Sequence, residues 1–143
     1  MGAGVACAIV LAWLVVLSAY DIRERRLPNW LTMPGALAIV VVALAAGRGG
    51  PALLGAVGLV GLYLVVHLLS PAAMGAGDVK LAAGVGALTG AFGFDVWALA
   101  AVTAPLLTAI WACVAVIRRS SSTVPHGPSM CVATLAAAAL VIV

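Results

Sequence analysis

The chain has 143 residues, 66% of them hydrophobic and only 8% charged, where an ordinary soluble domain is about 25% charged. That composition excludes a water-soluble fold, and the length holds about six crossings of roughly 20 apolar residues with short loops, so residues 1–143 read as one membrane-embedded domain. The formal charge of +3 comes from seven basic residues, too few and too scattered for a nucleic-acid surface; no nucleic-acid partner is expected, and the lipid bilayer is the surrounding phase.

The first apolar run covers residues 2–20 and stops at the polar segment 21–29 (DIRERRLPN). It has no Lys or Arg before Asp21, so it lacks the basic start of a secretory signal and reads as a retained first helix. A second run, 30–47, has Thr32 placed as an N-cap and Pro34 in its first turn, where a missing N–H costs nothing. Residues 48–51 (RGGP) turn the chain into a third run, 52–69, closed by Ser70 and Pro71. A Gly-rich connection (AAMGAGDVK) then leads through Lys80 to a fourth helix ending near Phe92. After a short break at 93–95, residues 96–117 make a full-length fifth span. The polar loop 118–129 (RRSSSTVPHGPS) precedes 130–143, whose 14 residues reach about 21 Å as a helix and span poorly. The expected fold is an all-α integral membrane protein with six transmembrane helices.

Cytoplasmic loops are enriched in Lys and Arg. Arg23, Arg25 and Arg26 lie in the first loop, Lys80 after the third, and Arg118 with Arg119 in the fifth; Arg48 alone is in an even-numbered loop. The odd-numbered loops therefore share the cytoplasmic face, and both termini are extracytoplasmic. The three arginines of loop one serve orientation first, and also suit anionic lipid or an acidic part of a substrate. Gly86 and Gly90 have the small-xxx-small spacing of closely packed helices in lipid. Cys7, Cys113 and Cys131 stand singly in apolar runs, without the spacing of a zinc site or redox pair, and read as packing residues.

Four acidic residues occur: Asp21, Glu24, Asp78 and Asp95. Asp21 closes the first helix and Asp78 precedes the fourth, so an odd number of crossings separates them and both reach the cytoplasmic face, where they can meet. Either one alone fits a helix cap or a headgroup residue. An ionisable group at a span's centre costs about 2.5–3.5 kcal/mol, and less near its end, which makes a functional reason the default. Glu24 and Asp95 read as solvated at opposite faces. His67 has no spaced Asp, Glu or Cys partner, His126 lies in a loop, and Ser120, Ser121 and Ser122 read as a solvated linker. None of these makes a metal site or a Ser-His-Asp set, and no metal or cofactor is expected.

Tyr20-Asp21 and Gly75-Ala76-Gly77-Asp78 match the Tyr-Asp and Gly-x-Gly-Asp signatures of membrane-embedded aspartyl proteases. The longer strings, DIRERRLPNWLT from Asp21 and GAGDVKL from Gly75, with Pro125, Gly127 and Pro128 forming a Pro-x-Gly-Pro loop before the last helix, resemble the bacterial type IV prepilin peptidases along essentially the whole chain. Larger members of that family carry an N-terminal region with paired cysteines and also methylate the new N-terminus. This chain resembles the short, peptidase-only form of the tight-adherence (Flp) pilus systems, in which methylation would need another protein. The resemblance implies a multi-pass protein of the bacterial inner membrane that cleaves the positively charged leader, ending in Gly, from a prepilin or pseudopilin precursor.

Peptide hydrolysis without an acyl-enzyme nucleophile needs a base to activate water and an acid to protonate the carbonyl oxygen and then the leaving amine. Two adjacent carboxyls sharing one proton supply both, and the proton belongs to the pair, so the roles of Asp21 and Asp78 stay exchangeable. Gly75 and Gly77 are expected to let the backbone take otherwise strained angles and an extended substrate pass close to Asp78. Lys80 suits either a bias on the pair or a contact to an acidic substrate group, or it simply snorkels. A small transporter or channel subunit is the rival reading, although it calls for carboxylates near the midplane and often repeated halves. A non-enzymatic pilus-assembly scaffold would tolerate loss of both Asp, and a presenilin-like protease would be longer. The sequence leaves the oligomeric state open.

Overall fold

A computed structural model describes residues 2–121 and 123–142. Ser122, read above as part of a solvated linker, and Val143, the expected end of the last helix, lie outside the described residues. The described residues form six helices: α1 (Gly2–Glu24), α2 (Asn29–Ala45), α3 (Gly49–Leu69), α4 (Ala76–Phe92), α5 (Phe94–Ile117) and α6 (Gly127–Ile142). Every apolar run of the sequence became one helix. Three of them, α1, α3 and α5, are long and apolar enough to cross a membrane, and α2 and α6 are shorter apolar helices.

Several boundaries differ from expectation, each for a local reason. α1 does not stop at Tyr20 but runs a further turn through Glu24, because residues 21–24 (DIRE) contain no breaker; Arg25, at φ 53°, ends it. Asp21 is therefore inside the last turn of its helix. α4 begins at Ala76, so Asp78 belongs to its first turn instead of preceding it. α6 begins at Gly127, with Pro128 tolerated in the first turn, and the Met130 N–H donates to the His126 carbonyl at 3.1 Å. Its 16 residues reach about 24 Å. Thr32 does not cap α2. Pro28 holds the cap position, and the Thr32 hydroxyl and N–H both donate back to the Pro28 carbonyl, at 3.1 and 3.0 Å.

The turn after α2 is a Schellman closure: Gly47 takes φ 73°, its N–H donates to Leu44 O at 3.0 Å, and the Arg48 N–H donates to Ala43 O at 2.8 Å. Gly93, which joins α4 to α5 without a loop, sits at φ 129° and ψ 167°, a region essentially closed to side chains.

α4 is the centre of the bundle, touching α2, α3, α5 and α6, while α1 leans on α6 and more lightly on α2. α3 and α4 meet backbone to backbone. A β-carbon on Gly55 would collide with the Gly86 carbonyl oxygen and lie 2.8 Å from the Gly90 Cα, and one on Gly90 would lie 2.6 Å from Pro51 O. The spacing of Gly86 and Gly90 is thus used as expected, against Gly55. Trp97 seals the crossing by donating its indole N–H to the Gly55 carbonyl at 2.9 Å. On the other side, Trp13 of α1 lies over Gly35 and Gly84, where any β-carbon would overlap its ring, and donates to Leu31 O at 2.9 Å.

Leu14, Leu17, Leu59, Leu81 and Met130 fill the core. The outer faces are apolar as well: Leu54, Leu69 and Ile117 are 75%, 81% and 80% exposed, a surface suited to lipid rather than water. Of the cysteines, Cys131 alone is buried; Cys7 and Cys113 are exposed on the outside of their helices, so the packing role expected for all three holds for one. Buried Thr89 and Thr134 donate one turn back, to Val85 O and Met130 O, which keeps their hydroxyls satisfied without another helix.

Because the neighbours of Gly55 are backbone atoms that cannot rotate away, Gly55→Ala is expected to lower stability by about 1–3 kcal/mol. Gly61→Ala, where a methyl group meets nothing within 4 Å, is expected to leave it unchanged or slightly raised. Thermal unfolding of the two variants in detergent measures the difference; equal effects would contradict so close a crossing.

Candidate active site

Asp21 and Asp78 come from opposite ends of their helices, yet they open onto one cavity. It measures about 640 Å³, and its walls are the last turn of α1, the connection through Leu27, Pro28 and Asn29, and the Gly75–Lys80 segment that starts α4. The charge of Asp21 acts on the Asp78 carboxyl. Asp21 is 8% exposed, and Asp78 is half-buried.

Each carboxylate is held by a backbone N–H at the start of a helix, where donors lack intrahelical partners. Asp21 Oδ2 accepts from the Gly127 N–H at 2.9 Å, so α1 supplies a cap for α6 from 106 positions away. Asp78 Oδ2 accepts from the Gly75 N–H at 3.3 Å, half of a capping box whose other half is missing because Gly75 has no side chain. A β-carbon on Gly127 would lie 2.5 Å from Asp21 Oδ2. Glycine in the Pro-x-Gly-Pro segment is therefore required by contact with the carboxylate.

Gly75 and Gly77 do not take the strained backbone angles expected of them. Gly75 has φ −73° and ψ 150°, an ordinary extended conformation, and neither residue is among those with positive φ. What their lack of side chains provides is space: a β-carbon on Gly77 would press on the Leu27 side chain at 3.3 Å, and one on Gly75 would stand 3.4 Å from Asp78 Oδ2. Lys80 lines the cavity but is engaged, donating from Nζ to Asn29 Oδ1 at 2.8 Å and tying α4 to the start of α2. Arg25 ties the same wall to the loop before α6 by donating to the Thr123 hydroxyl at 2.6 Å and to the Thr123 carbonyl. Glu24 lines the cavity and is exposed, and Asp95 is exposed in the first turn of α5. His67 holds the Met74 carbonyl at 2.6 Å and so braces the α3–α4 connection.

Behind the carboxyls lies a polar set that sequence reasoning missed. His126 Nδ1 is 2.6 Å from Thr108 Oγ1 and its Nε2 is 3.2 Å from the Tyr63 hydroxyl, with the Tyr63 and His126 rings 5.5 Å apart. Tyr63 and His126 are both buried. Burial pushes the His126 imidazole down to about 4, so it is neutral at ordinary pH. The charge of Asp78 reaches the Tyr63 hydroxyl. The available signals were a tyrosine within an apolar helix and a histidine inside the Pro-x-Gly-Pro segment. Neither indicates a partner by spacing. Among the described residues, no group of three His, Cys, Asp or Glu is placed to hold a metal ion.

Residues 8–143 match the type IV leader peptidase family. The chain is 34% identical over 139 residues to a prepilin leader peptidase/N-methyltransferase of Xanthomonas campestris pv. campestris, an alignment covering 88% of this chain and 47% of that protein. The chain thus spans about half the length of the curated relative it matches. No solved structure matches it.

Gly127→Ala is expected to cost about 1–3 kcal/mol through the clash with Asp21 and the hydrogen bond it disturbs. In an Asp21→Ala background the added cost is expected to be smaller by at least about 1 kcal/mol, because the carboxylate it strikes is gone. Unfolding measurements on the four combinations test this; the same cost in both backgrounds would contradict the contact.

Proposed function

Because the chain belongs to the type IV leader peptidase family, we propose that it is an aspartic endopeptidase that removes the leader of prepilin or pseudopilin precursors at the cytoplasmic border of the bacterial inner membrane. The observation that carries this reading is that Asp21 and Asp78, the only acids of the chain inside the two signature motifs, line one cavity. In the same proposal residues 1–143 act as one multi-pass domain, all six helices cross or enter the bilayer, both termini are extracytoplasmic, and nucleic acid plays no part. The continuous family match over residues 8–143 and the basic residues Arg25, Arg26 and Lys80 at the cavity support it.

In the reaction a water molecule sits between the carboxyls. One, ionised, takes a proton from the water as its oxygen attacks the scissile carbonyl carbon; the other, protonated, donates to the carbonyl oxygen. The C–N bond then breaks as the amine leaving group is protonated. A single proton shared by the pair is the state that does both jobs, since two carboxylates brought together on one water do not both ionise cheaply. The Gly127 and Gly75 N–H groups fix the orientation of the carboxyls, which matters because general acid–base catalysis demands reach before acidity. The side-chain-free wall at Gly75 and Gly77 admits an extended precursor beside Asp78. Lys80 supports the wall through Asn29.

Asp21→Asn and Asp78→Asn are each expected to slow processing of a co-expressed prepilin at least about 100-fold, with the protein still in the membrane, as followed by precursor size on a gel. Parental processing by either variant would overturn the dyad, as a pilus-assembly scaffold predicts.

A further inference from the structure

The peptidase reading leaves unused the polar set of buried Tyr63 on α3, half-buried Thr108 on α5 and buried His126 before α6. Either neutral tautomer of His126 makes both bonds. With the Thr108 hydroxyl donating one turn back to Ala104 O at 3.2 Å, His126 Nδ1–H donates to Thr108 Oγ1 at 2.6 Å and Nε2 accepts the Tyr63 O–H at 3.2 Å; with Thr108 donating to Nδ1 instead, Nε2–H donates to the Tyr63 oxygen, and the same two helices are joined. His126 thus reads as a clamp between two helices that are separate in sequence.

The residue after this clamp is the one that holds Asp21. Gly127 donates its N–H to Asp21 Oδ2 at 2.9 Å, and a peptide plane links that N–H rigidly to the carbonyl of His126. That carbonyl in turn accepts from Met130 N–H at 3.1 Å in the first turn of α6. The imidazole fixes where the turn sits, and the helix fixes its pitch.

We propose that His126 is a positioning residue of the peptidase reaction: held by Thr108 and Tyr63, it sets the turn before α6 so that the Gly127 N–H aims the Asp21 carboxylate at the substrate. The inference rests on the peptidase reading and goes beyond it, since the His126 ring bonds to Thr108 and Tyr63 and acts on Asp21 through its neighbour Gly127. The chemistry of the clamp is the same whichever Asp is the base. Removing it leaves the dyad present but misaimed, and a misplacement of about 1 Å is enough for a loss of about 100-fold.

The test uses the full-length protein in detergent or liposomes with a purified prepilin, comparing kcat and KM of the parent, His126→Leu, Tyr63→Phe and the double variant, with thermal unfolding of each. His126→Leu is expected to lower kcat about 10- to 100-fold, and Tyr63→Phe about 3- to 10-fold, with KM nearly unchanged. The double variant is expected to be no slower than His126→Leu alone, because both changes open the same clamp. Tyr63→Phe keeps the ring and so carries the test should His126→Leu fail to fold. Unchanged kcat in Tyr63→Phe and His126→Leu, or losses that multiply in the double variant, would overturn the proposal. If Asp21→Asn, run beside them, processed normally, the peptidase reading itself would fall.

Discussion

Gly55, Gly86 and Gly90 allow the backbones of α3 and α4 to touch, and the rest of the arrangement is set by that contact. In lipid there is no hydrophobic gain from bringing two helices together, so close backbone packing has to supply the attraction. α4 is carried into the middle of the bundle, where α2, α5 and α6 also reach it. Its first turn bears Asp78, and its position relative to α1 decides whether Asp78 opens onto the same space as Asp21.

The second constraint is the handling of the carboxyls. Both come from helix ends, where the polypeptide leaves apolar surroundings and backbone donors are unpaired. The first turn of α6 and the cap residue of α4 each lend an N–H, while the Lys80 side chain hydrogen-bonds to Asn29 and that of Arg25 to Thr123, from where the Arg25 charge still acts on Asp21. Each amide takes up Oδ2 of its carboxyl, so this support uses one oxygen of each. The same economy appears at Gly127, whose lack of a side chain lets Asp21 approach.

Much of this was legible in the sequence. Apolar runs broken by Gly, Pro and charged residues marked all six helices, and Asp21 and Asp78 stood out as acids in an otherwise apolar chain. Boundaries were less legible, since residues 21–24 are polar but helix-permissive and since Asp78 reaches back to the Gly75 N–H, moving the start of α4 ahead of it. Thr32 looked like a cap by its position, but Pro28 offered the chain an extended entry and took that place. The clamp of Tyr63, Thr108 and His126 was illegible because it joins α3, α5 and the loop before α6, residues with no shared period or spacing. Gly127 was noticed as part of a motif, while its contact with Asp21, from the other end of the chain, exists only in three dimensions.

Asp21 and Asp78 line one cavity, and the proposed reaction depends on their sharing it. With Cys7, Cys113 and Cys131 replaced, the pair Asp21→Cys and Asp78→Cys can be oxidised or bridged with a short bifunctional thiol reagent in native membranes, and the free thiols then counted by mass tagging. Intramolecular linkage, with both positions labelled from the cytoplasmic side beforehand, is the expected result. Two thiols that stay unlinked and react with impermeant reagent from opposite sides of the membrane would contradict it.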